Sequence, residues 1–255
     1  MQALNSDLPD FCHLPLLFGP DGKKLSKRHG DTSVEAFRDK GILQVAMFNY
    51  LCLLGWSPGN DLEKFDSELA IQKFDLNNVL PNSAIFDEKK LLWLNGFYIR
   101  TTEQKEFEKT AINQIEKDIN RPFFSDELNR VSKILPSVQE RIETLNDLTP
   151  QIIFLLDEPF VINSEDWDSV NSEEAQSYLE SIREKFKVLT DFSIENIESI
   201  MRETINELDI KTKIGFQATR VAITGTKISP PLFESIYSLG KETSIARLAE
   251  TIEKL

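Results

Sequence analysis

The sequence has little of what marks secreted, metal-binding or membrane-spanning proteins. Its only two cysteines, Cys12 and Cys52, are isolated and form neither a disulfide framework nor a zinc pattern. No apolar run reaches the roughly 18 residues of a membrane-spanning helix. The first residues have neither the basic nor the apolar segment of a secretory signal. We therefore expect a protein of a reducing compartment, either the cytoplasm or an organelle matrix.

Positive charge is also scarce, and it is unevenly distributed. The chain carries 29 basic and 42 acidic residues, a net charge of −13, which argues against general nucleic-acid binding. Residues 156–210 hold 15 acidic and 4 basic residues, whereas residues 211–241 hold 5 basic residues and 1 acidic residue. An acidic body with a separate basic face can bind a polyanion at a defined place. The competing interpretation is that both segments are ordinary solvated surface.

A short basic segment, Gly22 to Gly30, stands out from the rest and is called the basic loop here. Four of the six residues from Lys23 to Arg28 are cationic. Glycine permits sharp turns and close approach to a ligand, and lysine ammonium groups suit phosphates that change shape during a reaction. The segment is not a Walker loop, because its glycine spacing is too short and Lys23 precedes another lysine. On composition alone, a solvated surface loop is the alternative.

Within the basic loop, Lys24-Leu25-Ser26-Lys27-Arg28 resembles the second signature of class I aminoacyl-tRNA synthetases, in the variant typical of glutamyl-tRNA synthetases. Other segments resemble the bacterial-type enzymes of that family in the same order along the chain. They are residues 13–17, 51–58, 90–96, 220–225 and 230–233. The resemblance covers almost the whole chain and is weakest in the middle.

The resemblance implies ATP-dependent glutamylation of tRNA. Glutamate attacks the α-phosphate of ATP, and the glutamyl group then passes to the terminal adenosine of tRNA. By resemblance, Lys24 and Lys27 bind the ATP phosphates, with Lys27 in more direct contact, and Ser26 supports the loop. Fixed cations beside the departing pyrophosphate stabilise the developing charge. His29 lies within reach of a phosphate in this scheme, but Gly30 after it favours a turn residue.

The same resemblance implies a second site near the end of the chain. Arg220, Ser229 and Leu232 match positions that contact the third anticodon base of tRNA(Glu). Arg141 matches an anticodon-sensing helix over residues 138–145. Arginine and polar groups read splayed bases in single-stranded RNA loops. The alternatives are that Arg220 is an ion-pair residue on a helix and that Arg141 is a surface charge between two glutamates.

Hydrophobic spacing predicts a mainly α-helical fold with a small mixed α/β region at its start. Residues 14–18 fit a short strand, Thr32 a helix cap, and residues 43–54 a helix that is buried on most sides. Asp87 is expected to cap a helix that Asn95 and Gly96 end. Pro136 is expected to begin a new segment after a helix over residues 125–135.

We place the domain boundary near residue 98. Residues 1–98 then form the signature loop and, by resemblance, a small mixed α/β stem-contact region. Residues 99–255 form an all-helical anticodon-binding domain of two subdomains. A nucleotide-binding half with a His-Ile-Gly-His-like first signature is missing, because neither His13 nor His29 precedes a Gly-His pair.

We therefore expect the C-terminal part of such an enzyme, inactive by itself. ATP with Mg²⁺ belongs to the complete enzyme and is not held by this part alone. We expect tRNA(Glu) as the partner, with glutamate and ATP in the full enzyme, and a monomer without a metal site or a membrane contact.

Other classes of protein are alternatives to this interpretation. Glutaminyl-tRNA synthetases read the anticodon with β-barrels, which the helical pattern after residue 100 disfavours. Glutamyl-queuosine tRNA synthetases have no anticodon domain. From other classes, the alternatives are a non-catalytic tRNA-binding module derived from such an enzyme and a purely structural helical scaffold.

Overall fold

The chain folds into two compact units. The structure is a computed structural model and describes residues 11–26, 28, 30, 32–156 and 159–255. Backbone contacts divide the chain into unit 1, Met1–Thr101, and unit 2, Thr102–Leu255. Within the described ranges, no helix has both the length and the apolar character needed to cross a membrane.

Unit 1 combines short helices with a small parallel sheet. Its elements are β1 (Leu17–Phe18), α1 (Val34–Asp39), α2 (Gln44–Leu53), α3 (Ser67–Lys73), β2 (Ala84–Ile85) and α4 (Glu88–Thr101). Strands β1 and β2 pair in parallel, with Leu17 opposite Ala84. Helices α2 and α4 pack together around buried Met47, Tyr50 and Leu91.

Helix α4 begins as expected, but the predicted stop at Asn95 and Gly96 is wrong. The Asp87 carboxylate accepts hydrogen bonds from the main-chain N–H groups of the first helical turn. Asn95 is fully buried, and its side chain accepts from the Leu43 N–H at 2.8 Å and donates to the Gly41 carbonyl at 3.3 Å. The asparagine therefore ties α4 to the start of α2 instead of ending the helix.

Two other local predictions in unit 1 need correction. Ser33, and not Thr32, caps α1, because its Oγ accepts from the Ala36 N–H at 3.2 Å. Helix α2 is less enclosed than expected, since Phe48 is 38% and Leu51 45% exposed.

Unit 2 is helical throughout its described residues, which contain no strand. Its helices are α5 (Gln104–Ile119), α6 (Ser125–Gln139), α7 (Leu148–Ile152), α8 (Glu173–Val188), α9 (Ile194–Glu207), α10 (Thr212–Thr224), α11 (Leu232–Leu239) and α12 (Lys241–Glu253). The predicted fold class, a small mixed region followed by a helical domain, is confirmed.

The predicted break at Pro136 is wrong, because α6 continues through this residue to Gln139. A proline inside a helix removes one main-chain hydrogen bond, and its ring crowds the carbonyl four residues earlier, which together cost about 3 kcal/mol. Leu135 before it and Val138 after it are both buried. Burial on the two sides of the proline therefore stabilises the continuous helix.

The buried Asn95 yields a test of the α2–α4 contact. We expect Asn95→Ala to lower the free energy of unfolding by about 2 kcal/mol, because the part-buried Leu43 N–H loses its acceptor. Urea unfolding followed by tryptophan fluorescence measures this change, since Trp56 and Trp93 lie in unit 1. The control Asn77→Ala removes an exposed amide that donates to nearby Asp75. Equal stability of the two variants would contradict the role given to Asn95.

Candidate functional site

The first half of the basic loop forms a tight hairpin against β1. The Gly19 N–H donates to the Lys23 carbonyl and the Leu25 N–H to the Leu17 carbonyl, both at 2.8 Å. Gly22 turns the chain with a φ of +71°, a conformation that favours glycine. Lys24 lies opposite Phe18 in an antiparallel bridge, and its side chain is exposed. The hairpin thus fixes the backbone of Lys24 while its ammonium group stays in solvent.

The rest of the basic loop is described only in part. Ser26 and Arg28 are exposed. The predicted ATP contact Lys27 lies outside the described residues, as does His29. The structure therefore supplies the starting geometry of the signature, from Lys23 to Ser26, and the role of Lys27 stays a prediction.

A cavity of about 870 Å³ lies next to the hairpin in unit 1. Leu25 lines it from the basic loop, and Phe37, Tyr50 and Asp87 line it from the helical side. Burial raises the pKa of Tyr50 to about 12, and the negative charge of the Asp87 carboxylate acts in the same direction. The hydrogen bond from the Asp87 N–H has the opposite effect, which is smaller than that of burial. The Tyr50 hydroxyl accepts that bond at 2.7 Å, so this wall of the cavity is fixed by a neutral phenol.

In unit 2, Arg220 forms hydrogen bonds to the loop between α10 and α11. Its Nη1 donates to the Ser229 hydroxyl, to the Ser229 carbonyl at 3.3 Å and to the Pro230 carbonyl at 2.7 Å. The Arg220 side chain is partly buried. Two of the residues predicted to contact the anticodon, Arg220 and Ser229, are therefore in direct contact with each other.

Arg141, predicted from a distant part of the sequence, lies within electrostatic range of Arg220. Burial lowers the pKa of the Arg220 guanidinium, Arg141 lowers it further, and Glu234 partly opposes both. Arg141 is exposed and lies on the turn that follows α6, not inside a helix over residues 138–145. Two guanidinium groups close together repel each other, so an anion that contacts both would relieve that repulsion.

The fourth predicted residue, Leu232, is 5% exposed and belongs to the core of unit 2. It is the first residue of α11, where main-chain N–H groups have no partner within the helix. A base contact at this position would therefore use the main chain, because the side chain is packed inside.

The Gly225–Pro230 loop is also held by Asn163 and Asp166, two residues that no sequence motif marks. Gly225 has a φ of +80°, and its carbonyl accepts from the Asn163 N–H at 2.8 Å. The Lys227 N–H donates to Asp166 Oδ2 at 2.9 Å. No motif marks this contact, because Asp166 is 61 positions away from Lys227.

Two family models match the chain, one over each unit. The model described as "Anticodon binding domain" matches residues 118–252, which include Arg141, Arg220, Ser229 and Leu232. The model described as "tRNA synthetases class I (E and Q), catalytic domain" matches residues 1–93, which include the basic loop. The two models together define a class I aminoacyl-tRNA synthetase.

Individual relatives show which family within this class the chain belongs to. A glutamate–tRNA ligase of Caldicellulosiruptor saccharolyticus is 36% identical over 99% of this chain and 52% of its own length. One of Syntrophobacter fumaroxidans is 38% identical over 97% of this chain and 52% of its own length. The chain belongs to the glutamyl-tRNA synthetase family, and it spans about half the length of these relatives.

A solved structure shows the same architecture. It is a glutamate tRNA ligase from Elizabethkingia meningosepticum in complex with its amino acid. It aligns with all of this chain at a TM-score of 0.84 and 25% identity, and the chain covers 53% of it.

Gly225 yields a test of how tightly the loop is held. A Cβ at this position would lie 2.5 Å from the Val161 carbonyl oxygen, which is main-chain and cannot swing away. We expect Gly225→Ala to lower the unfolding free energy by about 2 to 4 kcal/mol, the sum of left-handed strain and overpacking. Gly59→Ala is the matched control, since Gly59 has a φ of +91° but no atom within 4 Å. Thermal unfolding should show a clearly smaller loss for the control, and equal losses would refute the close contact.

Proposed function

We propose that this chain is the C-terminal part of a glutamate–tRNA ligase, which binds tRNA(Glu) through its stem and anticodon and supplies the ATP-phosphate loop. The observation that supports the proposal is that an exposed cation, Arg141, lies within electrostatic range of the partly buried Arg220 in a unit that is otherwise strongly acidic. Unit 2 has 29 acidic and 18 basic residues. A local pair of cations in such a unit favours RNA at one place and repels it elsewhere.

Recognition of the anticodon uses three kinds of polar group at the Arg220 end of the Gly225–Pro230 loop. The Arg141 guanidinium is exposed and carries the charge nearest to solvent. Arg220 and the Ser229 hydroxyl form a fixed polar surface, and the Leu232 N–H lies at the start of α11. Single-stranded bases present their edges to donors of this kind. This arrangement is suited to one base of the anticodon, which by resemblance is the third.

Activation of glutamate uses the basic loop. The hairpin fixes the backbone of Lys24, whose ammonium group is exposed, and by resemblance Lys24 and Lys27 follow the phosphates of ATP as pyrophosphate leaves. Ser26 supports the loop, and Mg²⁺ accompanies ATP in the complete enzyme. The pockets for glutamate and adenine belong to a part of the relatives that this chain does not match, so this chain alone holds neither ligand.

The remaining assignments follow from the same proposal. Unit 1 carries the signature loop and the stem-contact region, and unit 2 is the anticodon-binding domain with two helical subdomains. The protein acts as a monomer in the cytoplasm, with an organelle matrix as the alternative compartment. The second candidate function is a non-catalytic tRNA-binding module, which the intact lysine spacing of the basic loop disfavours.

The catalytic half of the proposal is tested by pyrophosphate exchange. We expect no glutamate-dependent exchange from this chain alone, and exchange once the missing catalytic part of a relative is added. In the completed enzyme, Lys27→Ala should slow adenylation by about 100-fold or more, because a fixed cation at the phosphates is lost. Arg38→Ala, an exposed cation elsewhere in unit 1, is the control. A full rate with Lys27→Ala would refute the role of Lys27, and absence of exchange from the completed enzyme would favour the non-catalytic module.

The RNA-binding half is tested with two short RNA hairpins, one carrying the glutamate anticodon and one changed at its third base. We expect salt-sensitive binding of the first hairpin. Arg141→Ala should weaken it about tenfold and reduce the preference over the second hairpin, since a base contact is worth about 1–3 kcal/mol. Arg183→Ala removes an arginine from acidic helix α8 as the control. Unchanged preference in both Arg141→Ala and Arg220→Ala would refute the assignment.

A further inference from the structure

Asp166 holds the middle of the Gly225–Pro230 loop through both the backbone and the side chain of Lys227. Its Oδ2 accepts from the Lys227 N–H at 2.9 Å, and its Oδ1 lies 3.4 Å from the Lys227 ammonium nitrogen. The same ammonium group donates to the Glu165 carbonyl at 3.3 Å. The Lys227 charge is therefore directed toward the turn over Ser164–Ser169 and is neutralised there.

The surroundings of the Asp166 carboxylate favour its role as a hydrogen-bond acceptor for Lys227. The Asp166 side chain is only 13% exposed. Burial by itself would raise the pKa of Asp166, but hydrogen bonds from Lys227 and Thr226 and the Lys227 charge outweigh it and lower the pKa. Asp166 thus stays ionised at neutral pH and acts as a permanent acceptor beneath the loop.

The loop is consequently held at both ends and in the middle. Asn163 bonds to Gly225, Asp166 bonds to Lys227, and Arg220 bonds to Ser229 and Pro230. These partners come from residues 163–166 and from α10, so the loop has little freedom to reorganise. A binding surface fixed before its ligand arrives loses less conformational entropy on association.

We propose that Asp166 is a positioning residue for RNA binding: its hydrogen bond to the Lys227 N–H fixes the loop that presents Ser229 to the anticodon. This inference rests on the proposed function and adds a residue that touches no RNA itself. An acidic side chain close to an RNA site is electrostatically unfavourable. Its presence there is explained by the backbone bond that it accepts.

The two possible roles of Asp166, an effect of its charge alone and the positioning of the loop, predict opposite changes in RNA affinity. If Asp166 acted only through its charge, its removal would strengthen RNA binding or leave it unchanged. If it positions the loop, Asp166→Ala weakens binding of the glutamate-anticodon hairpin by about tenfold, in spite of the lost negative charge. Asp166→Asn makes the same change in charge but keeps an oxygen acceptor for the Lys227 N–H. We expect it to bind within about threefold of the unaltered protein.

The experiment measures the affinity of the 255-residue chain for the two RNA hairpins by fluorescence anisotropy, at a temperature where circular dichroism shows each variant folded. Asp191→Ala is a charge-matched control, since Asp191 bonds only to neighbouring Ser193 and Asn196 in the described contacts. Weaker binding and reduced anticodon preference for Asp166→Ala alone would support the inference. Equal binding by Asp166→Ala and Asp166→Asn would overturn it. Failure of the unaltered protein to prefer the glutamate anticodon would instead overturn the proposed function.

Discussion

The Arg220 guanidinium is the contact on which the site in unit 2 depends. A partly buried cation is costly unless it is hydrogen-bonded, and here the oxygens of Ser229 and Pro230 accept hydrogen bonds from its Nη1. The same bonds set the direction in which the chain leaves α10 and enters α11. One interaction therefore fixes the loop, the start of α11 and the position of a positive charge at once.

The charge distribution bears on the proposed RNA binding. Helices α8 and α9 lie in an acidic stretch, which holds 15 acidic and 4 basic residues between positions 156 and 210. Under the proposed function, an RNA strand is repelled by such a surface and attracted to the end that carries Arg141 and Arg220. The net charge of a protein with separate acidic and basic faces is a poor guide to its partner.

Local signals could be predicted from the sequence, whereas long-range contacts could not. The cap at Asp87 and the buried stripe of Phe107, Ala111 and Ile115 follow from spacing over one or two helical turns. Asn95 and Asp166 each bond to a main-chain group more than 50 positions away. No local pattern encodes such a pairing. Family resemblance named Arg141 and Arg220, but only the folded chain shows that they lie within electrostatic range of each other.

The most direct test of the account is hydrogen–deuterium exchange of the chain with and without the glutamate-anticodon hairpin. Binding at the arginine pair should slow exchange in residues 225–233 and in the turn around Arg141, where main-chain N–H groups become covered or less mobile. The exposed faces of α8 and α9 should exchange at the same rate in both states. Protection on those acidic helices, with none at the Gly225–Pro230 loop, would contradict the account.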